Sequence, residues 1–497
     1  VIHVIAPSCC CAAIALISFT AIITTDAVGA QAQRPNVLIL LADDLRSDAV
    51  GAFGGHDAVT PHIDSLAEAG VRFGANYCMG SRHGAVCAPS RAMFMTGRAL
   101  TRVPDDMAEH ITMPQWFRAH GWHTFATGKW HNGRASFARS FDHGESIFFG
   151  GMANHRAVPV VDFSSGDFTP TVTVNTHSTR LFAEAAIRQL ELLAANPGSE
   201  PFFGYVAFTA PHDPRDPPTR TERRGATDLP PLPPNFRAQH GWHIGEETLL
   251  VRDEQLAGWP RRPEVVREQL ADYRALVQDL DHWIGRILGT LDRLRLRENT
   301  IVVFAADHGL ALGSHGLLGK QSLYDHSMRC PLSITGPGLS AQTTDSLTYL
   351  FDVFPTIATL AGLPLPDGLD GRNGMTALGA GSTASRNDLF LMYRDNQRAL
   401  RDSRYKLLLF QKTGKLQLFD LSIDPHEITD LSNDPAHGPR IESMLARMRE
   451  WQTAVADHAP LQSERRLPQI IDLTGHPRAP DRFQPEWIRA KYFAGDD

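Results

Sequence analysis

The sequence predicts an α/β protein, with a large mixed, mostly parallel sheet flanked by helices and a smaller α+β subdomain towards the C-terminus. Three observations carry this expectation. Over the first three quarters of the 497 residues, apolar runs of strand length alternate with amphipathic segments of helix length. Each apolar run stops in polar residues, the layout of a parallel sheet whose functional groups stand at strand C-termini. Past about residue 380 the alternation gives way to short strand-like pieces followed by a helix.

In chain order, residues 9–23 (CCCAAIALISFTAII) are apolar but too few to cross a bilayer comfortably, and Val28-Gly29-Ala30 offers small or compact residues to a signal peptidase. Residues 1–30 are therefore expected to be a secretory signal, with a periplasmic or secreted protein and no stable membrane span as the result. NVLILLA at 36–42 reads as a buried strand ending in Asp43-Asp44. From Thr60-Pro61 to Gly70 a helix is expected, with Thr60 as N-cap, proline in its first position and glycine at its end. Cys87 precedes another helix start, since Pro89 fixes φ and lacks an NH that a first turn leaves unpaired, and Ala92-Met93-Phe94-Met95 continue as good helix formers. Thr112-Met113-Pro114 through Gly121 uses the same helix opening as Thr60-Pro61.

WHTFATG is the next strand, ending in Lys129-Trp130-His131, and PFFGYVAFTA at 201–210 ends in Pro211-His212. The stretch 211–235, with PHDPRDPP and LPPLPP, is too rich in proline for regular structure and is expected to be a long surface loop near the strand ends. A long helix covers about 263–291, and TIVVFAA at 300–306 ends in Asp307-His308. These segments make one catalytic domain, 31–380. Within 381–497, LFLMYR, YKLLLFQ and LQLFDL predict a small antiparallel sheet, followed by a helix over roughly 437–456 and a tail.

At 42% hydrophobic and 21% charged residues, the chain falls among ordinary folded proteins and outside the disordered class. A formal charge of -7 excludes a general binder of nucleic acid or other polyanions, so an anionic substrate has to be met by a local cluster of cations. Without residues 1–30 the cysteines are Cys78, Cys87 and Cys330. An odd number in an oxidising compartment suggests that one has another task, leaving the other two free or paired.

Cys87 is the candidate for that task. Backbone NH groups and the positive end of a helix dipole favour an anion beside it, and Arg91 adds a planar, permanently charged fork that can hold sulfate or phosphate through two bonds. Asp43-Asp44 and Asp307-His308 are far apart in sequence, yet each pair ends a central strand. A parallel sheet would bring them to one edge, where three carboxylates and an imidazole make a divalent-metal site. Lys129 and His131, at alternate positions just past a strand, would face the same side. A Cys-x-Pro-x-Arg match alone arises by chance in roughly one chain in fifty. Any single histidine among 22 means little; the set in order means more.

Cys87-Ala88-Pro89-Ser90-Arg91 resembles the signature of the type I sulfatases of the alkaline phosphatase superfamily. In that family the motif cysteine is oxidised to formylglycine by a formylglycine-generating or anaerobic sulfatase-maturing enzyme. Gly-Lys-Trp-His, Ala-Pro-His and Gly-Leu-Leu-Gly-Lys match the family's remaining sulfate and leaving-group contacts at Lys129, His131, His212 and Lys320, and LFDLSIDPHEITDLS resembles its C-terminal subdomain. The likeness covers nearly all of 35–435 and implies the alkaline phosphatase-like sulfatase fold. It further implies Ca²⁺ held by Asp43, Asp44, Cys87 as formylglycine, Asp307 and His308. His308 stands where many members have Asn, and a nitrogen ligand is less typical of Ca²⁺. The Asp-His-Gly form resembles the iduronate-2-sulfatase-like branch.

The resemblance implies a mechanism as well. A hydrated aldehyde at 87 attacks sulfur, with Asp307 and the metal favouring its oxyanion, while Arg91, Lys129 and Lys320 neutralise the sulfuryl oxygens. His212 with Lys320 protonates the departing alcohol, and His131 takes a proton so that sulfate leaves by elimination. The expected activity is sulfate ester hydrolysis, with a sulfated carbohydrate as substrate. Two alternatives stand beside it: a phosphonate monoester or phosphodiester hydrolase of the same superfamily, and a catalytically inactive sulfated-glycan binding protein in which Cys87 stays a thiol. Outside the motif set, Asn154-His155-Arg156, the group His240, Trp242 and His243, and the pair Arg394 and Arg398 are candidates for sugar contacts.

Overall fold

Val37 to Leu41 are apolar without alternation because the strand they form, Asn36–Ala42, is covered on both faces, and all seven of its residues are buried. In the computed structural model, which describes residues 34–493 except 197, 199, 219–228, 379–385 and 465, this strand lies inside an eleven-stranded sheet. The expected signal at 1–30 and the boundary near 380 fall outside the described residues. Thr300–Ala306, Asn36–Ala42, Phe202–Ala207, His123–Lys129 and His143–Phe148 run parallel in that order. Antiparallel strands Leu332–Thr335 and Val158–Ser164 flank them. The mixed, mostly parallel α/β sheet expected from the sequence is therefore present.

Register decides what stands at the edge. Ala42 pairs with Ala306, Leu41 with Ala207, and Ala207 with Gly128. The central strands end on one line, so Asp43, Asp307 and Lys129 emerge side by side. Val37, Ile39 and Leu41 point into one core and Leu38 and Leu40 into the other, which the Pro263–Arg293 helix covers with Val277, Leu280 and Ile284. Gly128 has φ +90°, and a Cβ there would lie 1.9 Å from the Ala207 carbonyl oxygen, so only glycine allows the strand to bend just before Lys129.

Several local expectations change. Thr60 does not cap the Pro61–Ala69 helix: its Oγ1 accepts from the Gly51 NH at 3.0 Å and bonds Asp64 at 3.1 Å. The freed NH groups of His62 and Ile63 donate instead to Asp281 of the long helix, at 3.0 and 2.8 Å. Thr112 does form a capping box with Gln115. The helix of Cys87–Thr96 begins at Cys87 itself, with Pro89 third, and every residue in it is buried. Residues 211–217, expected on the surface, are buried, because His155 bonds the His212 carbonyl oxygen at 2.9 Å and Arg156 holds Asp216 at 2.9 Å.

The smaller sheet holds Asp388–Tyr393, Gln397–Asp402, Tyr405–Phe410 and Lys415–Asp420 as an antiparallel set, with the Gly438–Val455 helix beside it. Gln397–Asp402, where the sequence predicts no strand, is central; Arg398 is buried there because it makes two bonds to Asp457, at 2.6 and 2.8 Å. The fifth strand comes from far upstream: Gly80–Ser81 pairs parallel with Met392 and Tyr393. Among the described residues Cys78, Cys87 and Cys330 are buried free thiols, none bonded to another. Among the described residues no helix is long and apolar enough to cross a membrane.

Candidate active site

The strand ends, the Cys87–Thr96 helix and the loop carrying Lys320 meet at one buried cluster. Cys87 Sγ lies 3.2 Å from His308 Nε2, 3.4 Å from Lys320 Nζ and 3.8 Å from Asp44 Oδ1. One ligand atom from each of Asp43, Cys87, Asp307 and His308 fits within a 4.8 Å sphere of mutual distances, and Asp44, Cys87 and His212 form a second such group. Asp307 is fixed by its surroundings: its Oδ1 accepts from the NH groups of Asp44 and His308, at 3.2 and 3.0 Å, and its Oδ2 accepts from Arg91 Nε at 3.0 Å. Arg91 also donates to the Lys129 carbonyl at 2.8 Å, so the arginine of the motif ties the helix to two strand ends.

Cations and carboxylates alternate through this volume. Lys129 Nζ bonds Asp43 and the Gly151 carbonyl, the latter at 2.7 Å. Lys320 Nζ straddles the Asp44 carboxylate at 2.8 and 2.9 Å. His212 donates from Nδ1 to the Asp213 carbonyl at 2.7 Å, which leaves Nε2 facing Asp44 at 3.7 Å. Asp44 and His131 both adopt left-handed backbone, at φ 64° and 71°, conformations that cost free energy and cluster at functional sites. Gly151 gives His131 its room, since a Cβ there would sit 2.8 Å from Nε2.

The charges of the cluster follow from burial and neighbours. Burial disfavours the Asp43 carboxylate, yet Lys129 and Arg91 beside it hold its pKa well below the usual range. Asp44 is pushed up to about 6 by burial, against the pull of Lys320. Burial and Asp43 together drive the Cys87 thiol well above its ordinary value, the reverse of what a thiolate nucleophile requires. His131 and His212 are held well below the ordinary histidine range, by burial first, then by Lys129 and Lys320 respectively. Lys320 is raised despite its burial, because Asp44 and Cys87 favour its charge.

Every motif residue expected at the site is therefore found there. Four of the sugar-contact candidates are engaged elsewhere: His155 is buried between Ser178 and the His212 carbonyl, His240 bonds the Trp242 carbonyl and the Tyr324 hydroxyl, His243 accepts from the Gly245 NH, and Arg398 is taken by Asp457. The sequence reading missed Asp253 and Gln321. Asp253 lies 4.0 Å from Lys320 Nζ and accepts from Gln321 at 3.0 Å. Gln321 could have been suspected only as the neighbour of Lys320; Asp253 stands in no recognisable pattern.

Carboxylates, lysines and an arginine around one buried point at the edge of an α/β sheet define a hydrolase for tetrahedral oxyanion esters. The particular class is given by comparison with known proteins. A family model described as Sulfatase matches residues 35–363, and one described as N-sulphoglucosamine sulphohydrolase, C-terminal, matches 313–454. The chain belongs to the sulfatase family, and it is a sulfuric ester hydrolase. Choline-sulfatase of Rhizobium meliloti is 27% identical over 461 residues, covering 85% of this chain and 86% of that protein. Iduronate 2-sulfatase of Mus musculus is 30% identical over 398 residues, covering 67% and 69%. In fold, the chain is similar to a protein solved in complex with its substrate D-glucosamine-2-N,6-O-disulfate, with TM-score 0.72 and 22% identity over 87% of this chain and all of that one.

Proposed function

We propose that this sulfatase removes sulfate from a sulfated carbohydrate, using Cys87 converted to formylglycine by a maturing enzyme and Ca²⁺ as its metal. The observation that carries the proposal is a pair of buried atoms with no hydrogen-bond partner among the described residues, Asp43 Oδ1 and Arg91 Nη2, which face each other at 3.6 Å beside Cys87. A carboxylate oxygen and a guanidinium nitrogen buried without hydrogen bonds are costly unless a cation and an anion come to meet them. The oxygen-rich donor set fits a hard divalent cation, which Asp43, Asp44, Asp307, His308 and residue 87 would hold. When bound, such an ion supplies positive charge to the sulfuryl oxygens, and an aldehyde hydrate at 87 supplies a hydroxyl in place of the thiol.

The chain's own groups do the remaining work. Arg91 Nη2 and Lys129 bind sulfuryl oxygens from the helix side and the strand side. Lys320, held in its charged form, has a proton ready for the leaving oxygen, and His212 Nε2 approaches the same place. His131, neutral and with a buried Nδ1 lacking a partner, is suited to accept a proton from residue 87. Carbohydrate as the substrate class draws support from relatives named for iduronate and from a structural neighbour solved with a glucosamine disulfate. Export directed by residues 1–30 belongs to the same reading.

Peptide mass spectrometry of the segment around Cys87, on protein made with its own maturation system, tests the proposal. Formylglycine replaces the thiol with an aldehyde, and an intact cysteine in active enzyme would overturn the mechanism. Comparing 4-nitrophenyl sulfate with an aryl phosphonate tests the reaction; preference for the phosphonate would favour the alternative hydrolase.

A further inference from the structure

A cavity of about 380 Å³ opens at the smaller sheet, lined by Arg82, Met392, Arg394, Asp395, Arg398, Asp457 and Ala459. Its charges do not balance where they are free to act. Arg398 and Asp457 form the floor and neutralise each other through two short bonds. Asp395 at the rim is engaged by Lys412 at 3.2 Å. That leaves two guanidinium groups. Arg82 donates to the Val103 carbonyl at 2.7 Å and is paired only loosely with Asp105, whose Oδ1 lies 3.7 Å away while its Oδ2 bonds His83. Among the described residues the Arg394 side chain has no carboxylate partner; only its backbone is bonded, its NH donating to the Ser81 carbonyl oxygen and its own carbonyl accepting from Arg398.

Arg394 is also held in an unusual way. It begins the turn after the Asp388–Tyr393 strand with φ +48°, a left-handed conformation in which glycine or asparagine is usual. A turn serving the hairpin alone would be more stable with either. The guanidinium reaches over Gly84, where a Cβ would lie 3.6 Å from its Nη2. Gly84 in turn accepts from Gln321, the neighbour of Lys320, at 3.1 Å. Three further residues lead to Cys87, a span of at most about 11 Å of extended chain.

We infer that this cavity is a second oxyanion subsite, in which Arg82 and Arg394 hold a sulfate or carboxylate carried by a sugar adjoining the one that loses its sulfate. The inference rests on the proposed carbohydrate sulfatase reading and extends it: the enzyme selects substrates that are anionic at two places. Arg394 acts as a specificity residue, and Arg398 positions the turn by bonding the Arg394 carbonyl at 2.7 Å.

Calorimetric titration with a heparin-derived tetrasaccharide, in the full chain carrying Cys87→Ala so that nothing is turned over, tests it. Arg394→Gly should raise Kd about tenfold, as expected for loss of one charge-assisted contact in a part-exposed site. Arg82→Gln should act in the same direction, and the effect should shrink at high salt. Because glycine relieves the positive φ, Arg394→Gly is not expected to impair folding, and an unchanged or higher thermal midpoint checks this. A fully desulfated, uronate-bearing tetrasaccharide distinguishes the sources: retention of the tenfold difference assigns the subsite to carboxylate, its loss to sulfate. Equal Kd for the parent and Arg394→Gly, or no binding by the parent, overturns the subsite. Turnover of 4-nitrophenyl sulfate by the mature enzyme is a separate readout; its failure would sink the sulfatase mechanism and leave the binding result to be judged alone.

Discussion

Replacing His212 with alanine separates the two groups proposed to serve the leaving oxygen, His212 and Lys320. His212 has committed Nδ1 to the Asp213 carbonyl at 2.7 Å, so only Nε2 can serve the substrate, and it donates only from a doubly protonated ring, which the bound anion has to favour against burial and Lys320. A positioned general acid contributes about 10²–10⁴-fold when the leaving group needs a proton. An alkoxide needs one, whereas 4-nitrophenolate leaves without it. Lys320, bonded to Asp44 at 2.8 Å and kept charged by it, survives in the variant and can still donate. The loss should therefore fall at the low end, about 100-fold in kcat/KM for an alkyl or sugar sulfate, and remain under about fivefold for 4-nitrophenyl sulfate. The assay is kcat/KM over a series of sulfate esters with graded leaving-group basicity, for the parent and His212→Ala. A steeper dependence in the variant is expected. Equal losses along the series would show that His212 binds the sulfuryl group or holds the loop, and would refute its role as an acid.

Cys87→Ala should abolish turnover of every ester while leaving the thermal midpoint within a few degrees, because a small side chain is exchanged within the helix; residual turnover above about 1% of the parent would point to another nucleophile. Asp281→Ala should lower the free energy of unfolding in urea by about 1–2 kcal/mol, since it caps the Pro61–Ala69 helix from outside; a loss within error would mean that water serves those NH groups equally well. Glu427 is raised to about 7 by burial, against the pull of Lys406. A carboxyl raised above its unfolded value favours the folded state while protonated, so its contribution is complete below about pH 4.5 and lost as pH rises through about 7. The stability of Glu427→Gln relative to the parent should accordingly improve between pH 5 and 8 in thermal melts; a constant difference would contradict the shift.

The central strands were legible because burial on both faces leaves an uninterrupted apolar run, and TIVVFAA matches Thr300–Ala306 residue for residue. The site was legible for a related reason: parallel strands in register turn distant strand ends into neighbours, so Asp43 and Asp307 could be paired on paper. What escaped depends on partners far away in the chain. Thr60 looked like a cap, but Asp281 on another helix occupies that place. Residues 211–217 looked like surface because of their prolines, yet His155 and Arg156 supply the bonds that let them be buried. Gln397–Asp402 was not among the expected strands, because its charged residues find partners such as Asp457 only in the fold. Asp253 offers no local pattern, since its meaning lies in the lysine it faces.

The pairing of Gly80–Ser81 with Met392 and Tyr393 has a consequence in time. Those two residues lie just ahead of Cys87, whose side chain is only 2% exposed once the fold is complete. Their partners emerge from the ribosome some three hundred residues later, a delay of about 15–60 s at ~5–20 residues per second. Until then the Cys87 segment lacks the strand that closes over it. On the proposed reading, a maturing enzyme that must reach the Cys87 sulfur would work against a clock set by the length of chain still to be made, with the C-terminal sheet as its end.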